Sequence, residues 1–296
     1  MSDTLKLKQR SLFSEILILT KHRLSLSVVF SSVASYLIAF EVFSIYTLFL
    51  LILGGFFVVG ASNGFNQIIE RNRDALMIRT KSRPLPTGGL SLNQAILICT
   101  ILSFLGLFIL YVINFRTAFF GLISMIIYLA LYTPLKPITP LSVFFGAIPG
   151  AIPFMLGWVA VTNKFSIETG ILFMIQFFWQ FPHFWSIGWV SHDDYLKGGF
   201  KMLPSGKRDN ATAFQIVFYT IWMILVSTLP YFNFTGELSI GLYSLVLILI
   251  SGLFMLFQAI RLMKYKDKQN AIRLMYTSIF YISFIQIIFV LDKFLS

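Results

Sequence analysis

The sequence predicts an all-α polytopic membrane protein, a bundle of about nine transmembrane helices. Three observations predict it. The chain is 57% hydrophobic and only 12% charged, with a mean hydropathy of +0.82, too little polar surface for a soluble domain to cover itself. Its apolar runs are long enough for helical spans, since a hydrocarbon core of about 30 Å takes about 20 residues at about 1.5 Å each. Barrel strands would be about 10 residues long and alternating, and these runs do not alternate.

The segment 1–23, MSDTLKLKQRSLFSEILILTKHR, is basic and partly amphipathic. Residues 5–20 fit a helix lying along the membrane surface. A signal peptide would begin in the same way, but the apolar run after Arg23 is long enough to be retained as the first span. The spans then fall at about 24–40, 47–66, 94–113, 117–133, 141–162, 169–190, 213–231, 239–260 and 275–291. The longest connections, about 67–93 and 191–212, leave no room for a soluble domain, so 1–296 reads as a single transmembrane domain. The lone cysteine, Cys99, lies in the third span and forms no intramolecular disulfide; it reads as a small packing residue.

Orientation follows from the basic residues. The N-terminus and every second connection after it carry 20 of the 23 Lys and Arg, leaving Arg116, Lys164 and Lys293 on the other side. This places the N-terminus in the cytoplasm and the C-terminus outside. The net charge of +11 then reflects topology and contact with anionic membrane lipids, with no nucleic-acid partner implied.

The scarce acids concentrate in two cytoplasmic connections. NQIIERNRDALMIRTKSRPLP, Asn66 to Pro86, places Asn66, Glu70 and Asp74 at four-residue steps. On a helix such residues form one narrow stripe. Two carboxylates close together repel unless a cation lies between them, and Mg²⁺ takes one or two carboxylates and completes its shell with water and substrate phosphate. Arg79, Lys81 and Arg83 follow directly, with charges that match phosphate oxygens. Stripe and cluster together have the chemistry of a metal-bound diphosphate. They also fit an ordinary charged helix end, and Arg83–Pro86 fits a turn that stops a helix.

The second connection follows FFWQFPHFW, which sets Pro182 and His183 inside the sixth span. Pro kinks a helix, and an intramembrane His marks a functional site or a hydrogen-bonded structural residue. Asp193 and Asp194 arrive at the cytoplasmic rim, as a second acidic rim facing the first or as a helix cap. In the third connection, LYTPLKPITPLS, Lys136 is the only basic residue in a loop stiffened by three prolines. It reads equally as an anchor or as a substrate-facing cation.

These residues resemble the UbiA superfamily of intramembrane prenyltransferases and, within it, the branch that farnesylates protoheme IX. The superfamily's first signature corresponds to Asn66, Glu70, Asp74, Met77, Arg79, Thr80, Arg83 and Pro84. The heme-modifying pattern corresponds to Trp179, Gln180, Pro182, His183 and Phe184, then Asp194 and Tyr195, then Met202, Leu203 and Pro204. Tyr132 to Pro140 matches a further stretch, so the resemblance covers nearly the whole chain. It departs from the pattern at Glu70, where many relatives have Asp, and at Arg73, Pro137 and Ser142. The usual second acid of the 6–7 connection is missing, its place taken by Gly198 or Lys197.

The resemblance implies a Mg²⁺-dependent transfer of farnesyl from farnesyl diphosphate to a vinyl group of heme B, giving heme O, at the cell inner membrane. It implies Asn66, Glu70, Asp74 and Asp194 as metal-binding and catalytic groups. Arg79, Lys81, Arg83 and Lys136 would hold the diphosphate, and His183 would contact heme. A downstream heme-modifying enzyme or terminal oxidase assembly would receive the product. Two alternatives stand beside it: the same chemistry on a quinone precursor, and a small membrane transporter, which the intramembrane Pro and His also suit.

Overall fold

The computed structural model describes residues 10–295; the part of the proposed surface helix before residue 10 lies outside them. The chain is helical throughout. A short helix, α1 (Leu12–Leu19), capped by the Ser11 hydroxyl, breaks at Thr20–Lys21 and hands over to α2 (His22–Ala39). Next come α3 (Ile45–Asp74), the one-turn α4 (Pro84–Thr87), α5 (Leu92–Ile113) and α6 (Phe115–Ile126). The end of α6 widens into a π-helical turn over Ile127–Tyr132 before α7 (Thr133–Leu135). Then follow α8 (Ser142–Thr162), α9 (Ile167–Val190), α10 (His192–Lys197), α11 (Asn210–Thr228), α12 (Leu242–Tyr265) and α13 (Lys268–Leu295).

Eight helices among the described residues, from α2 onward, are long and apolar enough to cross a membrane by length and composition. α9 has the same length, 24 residues, but carries Gln176, Gln180 and His183. Those polar groups lower its hydropathy, and with it the expected nine spans are all present. The chain is a multi-pass membrane protein.

Helix ends follow local chemistry. Ser91 and Gln94 form a reciprocal cap at the start of α5, and the Asn114 side chain starts α6 by accepting the Thr117 N–H. α3 runs eight residues past the expected end of its span. Charge ends the hydropathy signal at Glu70, but no Gly or Pro interrupts the helix before Asp74.

α8 is the central helix, with Ala147, Ala151, Phe154, Val159 and most of its length buried. It packs against α2 and α9, while α11 and α13 close the bundle around α9. α3 and α5 form the tightest pair by approaching on glycine. A Cβ at Gly106 would stand 2.9 Å from the Val58 backbone nitrogen, which nothing flexible could relieve. Outward faces carry large apolar side chains such as Phe104, Phe108, Leu253 and Phe257. Many of the 33 phenylalanines therefore face lipid.

Candidate functional site

The last turns of α3 carry the predicted stripe inward. Asn66, Glu70 and Asp74 are buried, at 1%, 4% and 0% exposure. Buried charge needs a partner, and each acid has one. Lys136 Nζ donates to Glu70 Oε1 at 2.8 Å, and Arg83 Nη1 to Asp74 Oδ2 at 2.6 Å. Asp74 Oδ1 is buried with no hydrogen-bond partner, an oxygen facing the site with a coordination place to fill.

The loop after α3 folds back over this stripe. Thr80 Oγ1 donates to the Asp74 carbonyl at 2.9 Å, and the Arg83 N–H to the Thr80 carbonyl at 3.0 Å. That hairpin aims Arg83 inward. Arg79 and Lys81 are exposed. Arg79 lies over the Tyr195 ring at 5.3 Å. Of the four predicted diphosphate-binding cations, the fold brings in Arg83 and Lys136 and leaves Arg79 and Lys81 at the rim.

The π-helical turn supplies the opposite wall. Pro134 has no N–H, and the Thr133 N–H reaches five residues back to the Tyr128 carbonyl. The wider turn directs Tyr128, Tyr132 and Thr133 at the stripe. Asn66 Nδ2 donates to Thr133 Oγ1 at 3.1 Å, and the Tyr128 hydroxyl reaches Asn63 Oδ1 at 3.5 Å. The Lys136 ammonium sits 4.3 Å above the Tyr132 ring, a contact between cation and π-face.

Asp194 departs from expectation. Its carboxylate accepts the backbone N–H groups of Ile78 at 2.8 Å and Arg79 at 3.1 Å, with Lys197 at 3.8 Å. Desolvation raises its pKa, but those two N–H groups outweigh it and hold the carboxyl below its ordinary range. Asp194 thus anchors the loop that carries Arg83. Among the described residues no three acids, His or Cys gather into a metal cluster, and in this structure the Asp194 carboxylate is bound to the loop after α3. Asp193 pairs instead with Arg208 at 3.1 Å. A Cβ at Gly198 would stand 2.9 Å from Met77 Sδ, so a side chain there would have to shift the flexible end of Met77.

Two residues absent from the expected set also reach the stripe. Lys21, at the α1–α2 break, donates from Nζ to Asn63 Oδ1 at 3.2 Å and approaches Asn66 Oδ1 at 3.5 Å. Desolvation, with Arg83 and Lys136 nearby, pushes its amine down to about 7. Asn63 stands one turn before Asn66, the signal that would have found it; Lys21 was hidden among the cytoplasmic topology charges.

His183 lies deeper, on the face of α9 that also carries Gln176 and Gln180. Its Nδ1 is 2.8 Å from Ser278 Oγ on α13, and its ring stacks on Trp179 at 4.6 Å. The partner is therefore a hydroxyl, not a carbonyl released by Pro182. Below it, Gln286 donates to Gln176 at 2.9 Å and Ser31 at 3.0 Å.

The oxygen set of Asn66, Glu70 and Asp74, with the orphaned Asp74 Oδ1, suits a hard divalent cation. The adjoining cations suit the phosphates that such an ion carries.

Comparison with known proteins agrees. The UbiA prenyltransferase family model matches residues 27–285. A protoheme IX farnesyltransferase from Christiangramia forsetii is 58% identical over 285 residues, 96% of this chain and 95% of that one. Another from Flavobacterium psychrophilum is 55% identical over 289 residues, 97% and 96% of the two chains. Among solved structures, a digeranylgeranylglyceryl phosphate synthase superposes with a TM-score of 0.79 at 22% identity, covering 96% of this chain and 99% of that one. A UbiA homologue from Archaeoglobus fulgidus, bound to DMAPP and Mg²⁺, gives 0.74 at 16% identity, with 95% and 98% covered. At such identities the structures show the fold.

Proposed function

Because this chain belongs to the UbiA prenyltransferase family, alongside its protoheme IX farnesyltransferases, we propose that the stripe on α3 is the prenyl diphosphate site of an enzyme that farnesylates heme B to heme O. The observation that carries this reading is the buried set of Asn66, Glu70 and Asp74, each acid already paired with a base, in a membrane-embedded bundle. The family separates the enzyme from a transporter, and the relatives' shared name separates heme from a quinone precursor.

Asn66, Glu70 and Asp74 would hold Mg²⁺. When bound, the ion neutralises diphosphate oxygens and acts as a Lewis acid on the leaving group. Arg83 and Lys136 then exchange their carboxylates for phosphate oxygens, and charge-assisted bonds there favour the departing diphosphate. Tyr132, whose ring carries the Lys136 ammonium on its face, holds that ammonium beside the leaving group. As the carbon–oxygen bond breaks, the allylic carbon joins the terminal vinyl carbon of heme B. Water adds at the inner vinyl carbon and loses a proton, leaving a hydroxyethylfarnesyl group and free diphosphate. The apolar bundle keeps bulk water from the cation until then.

His183 would contact heme: Ser278 Oγ, whose own proton goes to the Met275 carbonyl, accepts from Nδ1 and leaves the Nε2 lone pair for iron. The charge asymmetry supports a site at the cytoplasmic face, within reach of soluble farnesyl diphosphate, and heme O would pass to a downstream heme-modifying enzyme or oxidase assembly.

The test is mass spectrometry of hemes made by purified protein from farnesyl diphosphate and heme B, with and without Mg²⁺. Heme O formed only with the metal supports the reading. No new heme under any condition refutes it.

A further inference from the structure

Lys21 is the inward cation that no carboxylate among the described residues claims. Asp74 is held by Arg83 and Glu70 by Lys136. Three basic side chains thus face two acids in this part of the molecule, and Lys21 is the one without a carboxylate partner. Its contacts are neutral, the amide oxygens of Asn63 and Asn66. An amine with its proton on has three donors, so one remains after those two.

The backbone at the break is left-handed, as it is at Lys266 after α12. Lys21 has φ 46° and ψ 52°, a region that a non-glycine residue enters only against steric cost. Gly or Asn would fit the break more easily. A lysine kept only for membrane orientation would extend its ammonium toward water. This one turns into the bundle and reaches α3 one turn before Glu70.

We propose that Lys21 is a substrate-binding residue, whose remaining donor takes a phosphate oxygen of the prenyl diphosphate while the other two hold Asn63 and Asn66 in place. The proposal rests on the reading of the α3 stripe as a diphosphate site. It assigns the α1–α2 break a share in binding, so that the diphosphate is gripped from α1–α2, from the loop after α3 and from the connection after α6.

The experiment measures binding of farnesyl thiodiphosphate, which resists cleavage, to purified full-length wild type, Lys21→Met and Lys21→Gly in the presence of Mg²⁺ by calorimetry. Lys21→Gly relieves the left-handed strain, so it keeps the fold where Lys21→Met fails. Heme B binding and melting temperature are followed in parallel. Both variants are expected to bind the analogue at least about ten-fold more weakly, the size of one charge-assisted hydrogen bond. Heme B affinity and melting temperature stay near wild type, Lys21→Arg recovers part of the loss, and KM for farnesyl diphosphate rises more than kcat falls. Unchanged analogue affinity in both variants overturns the proposal, as does parallel loss of analogue, heme and melting temperature. A wild type that does not bind the analogue overturns the diphosphate reading itself, and this proposal with it.

Discussion

Lys136 and Glu70 meet at 2.8 Å with only 10% and 5% of their side chains exposed. Arg83 and Asp74 repeat the arrangement at 2.6 Å. Buried pairs gain little net stability, but removing one partner strands the other at a cost of about 3–5 kcal/mol. The acids proposed for the metal and the cations proposed for the phosphate therefore neutralise each other in this structure.

Asp74→Asn is expected to remove most heme O formation and also to lower the melting temperature, because Arg83 loses its carboxylate. Adding Arg83→Met to that variant should restore much of the stability and none of the activity. Thermal melts and turnover measured on the single and double variants check this. Recovery of both together would mean the pair is structural only.

The inward and rim cations should separate. Arg83→Ala is expected to weaken binding of the diphosphate analogue by about 1.5–3 kcal/mol, whereas Lys81→Ala, exposed and without a carboxylate partner among the described residues, should change it by less than about 0.5 kcal/mol. Calorimetry on both variants decides. Equal effects would return the site to the whole basic cluster.

Asp194 works through the loop it anchors. Its folded carboxyl titrates below its unfolded value, so its stabilising contribution is complete above the ordinary carboxylate range and is lost as pH falls through the lower folded value. Asp194→Ala is expected to flatten that acid limb of melting temperature against pH and to lower turnover, with the Mg²⁺ concentration for half-maximal rate little changed. A many-fold shift in that Mg²⁺ requirement would make Asp194 a metal ligand after all.

His183→Ala is expected to shift the Soret band of bound heme B and weaken its binding about ten-fold or more, while leaving the diphosphate analogue's affinity unchanged. Titration of heme B into both proteins reads this out. Identical spectra and dissociation constants would confine His183 to its bond with Ser278.

The spans were legible because length and apolarity are local properties, and the Asn66–Glu70–Asp74 stripe was legible because helical spacing is. The end of α3 was not, since charge silences hydropathy without stopping a helix. The role of Asp194 was hidden because its partners are the backbone N–H groups of Ile78 and Arg79, which every residue but proline possesses. The π-helical turn that aims Tyr128 and Tyr132 rests on a backbone bond from the Thr133 N–H to the Tyr128 carbonyl, which no side-chain pattern announces. Gly198 gave half a signal: a missing acid was visible, but not that Met77 fills its place.

The connections after α3, α6 and α9 are tied to one another: the Lys201 N–H to the Lys136 carbonyl at 2.8 Å, Arg73 to the Gly198 carbonyl at 2.9 Å, and Asp194 to the loop after α3. These ties impose an order on biosynthesis. A ribosome delivers α3 first, with Glu70 and Asp74 entering the membrane before Lys136 has been translated and long before Asp194. Nascent chains arrested after α5 carry Glu70 without its counter-charge, and those arrested after α8 carry a loop without its anchor. Completion of the centre thus requires the chain through the sixth crossing, which supplies Asp194.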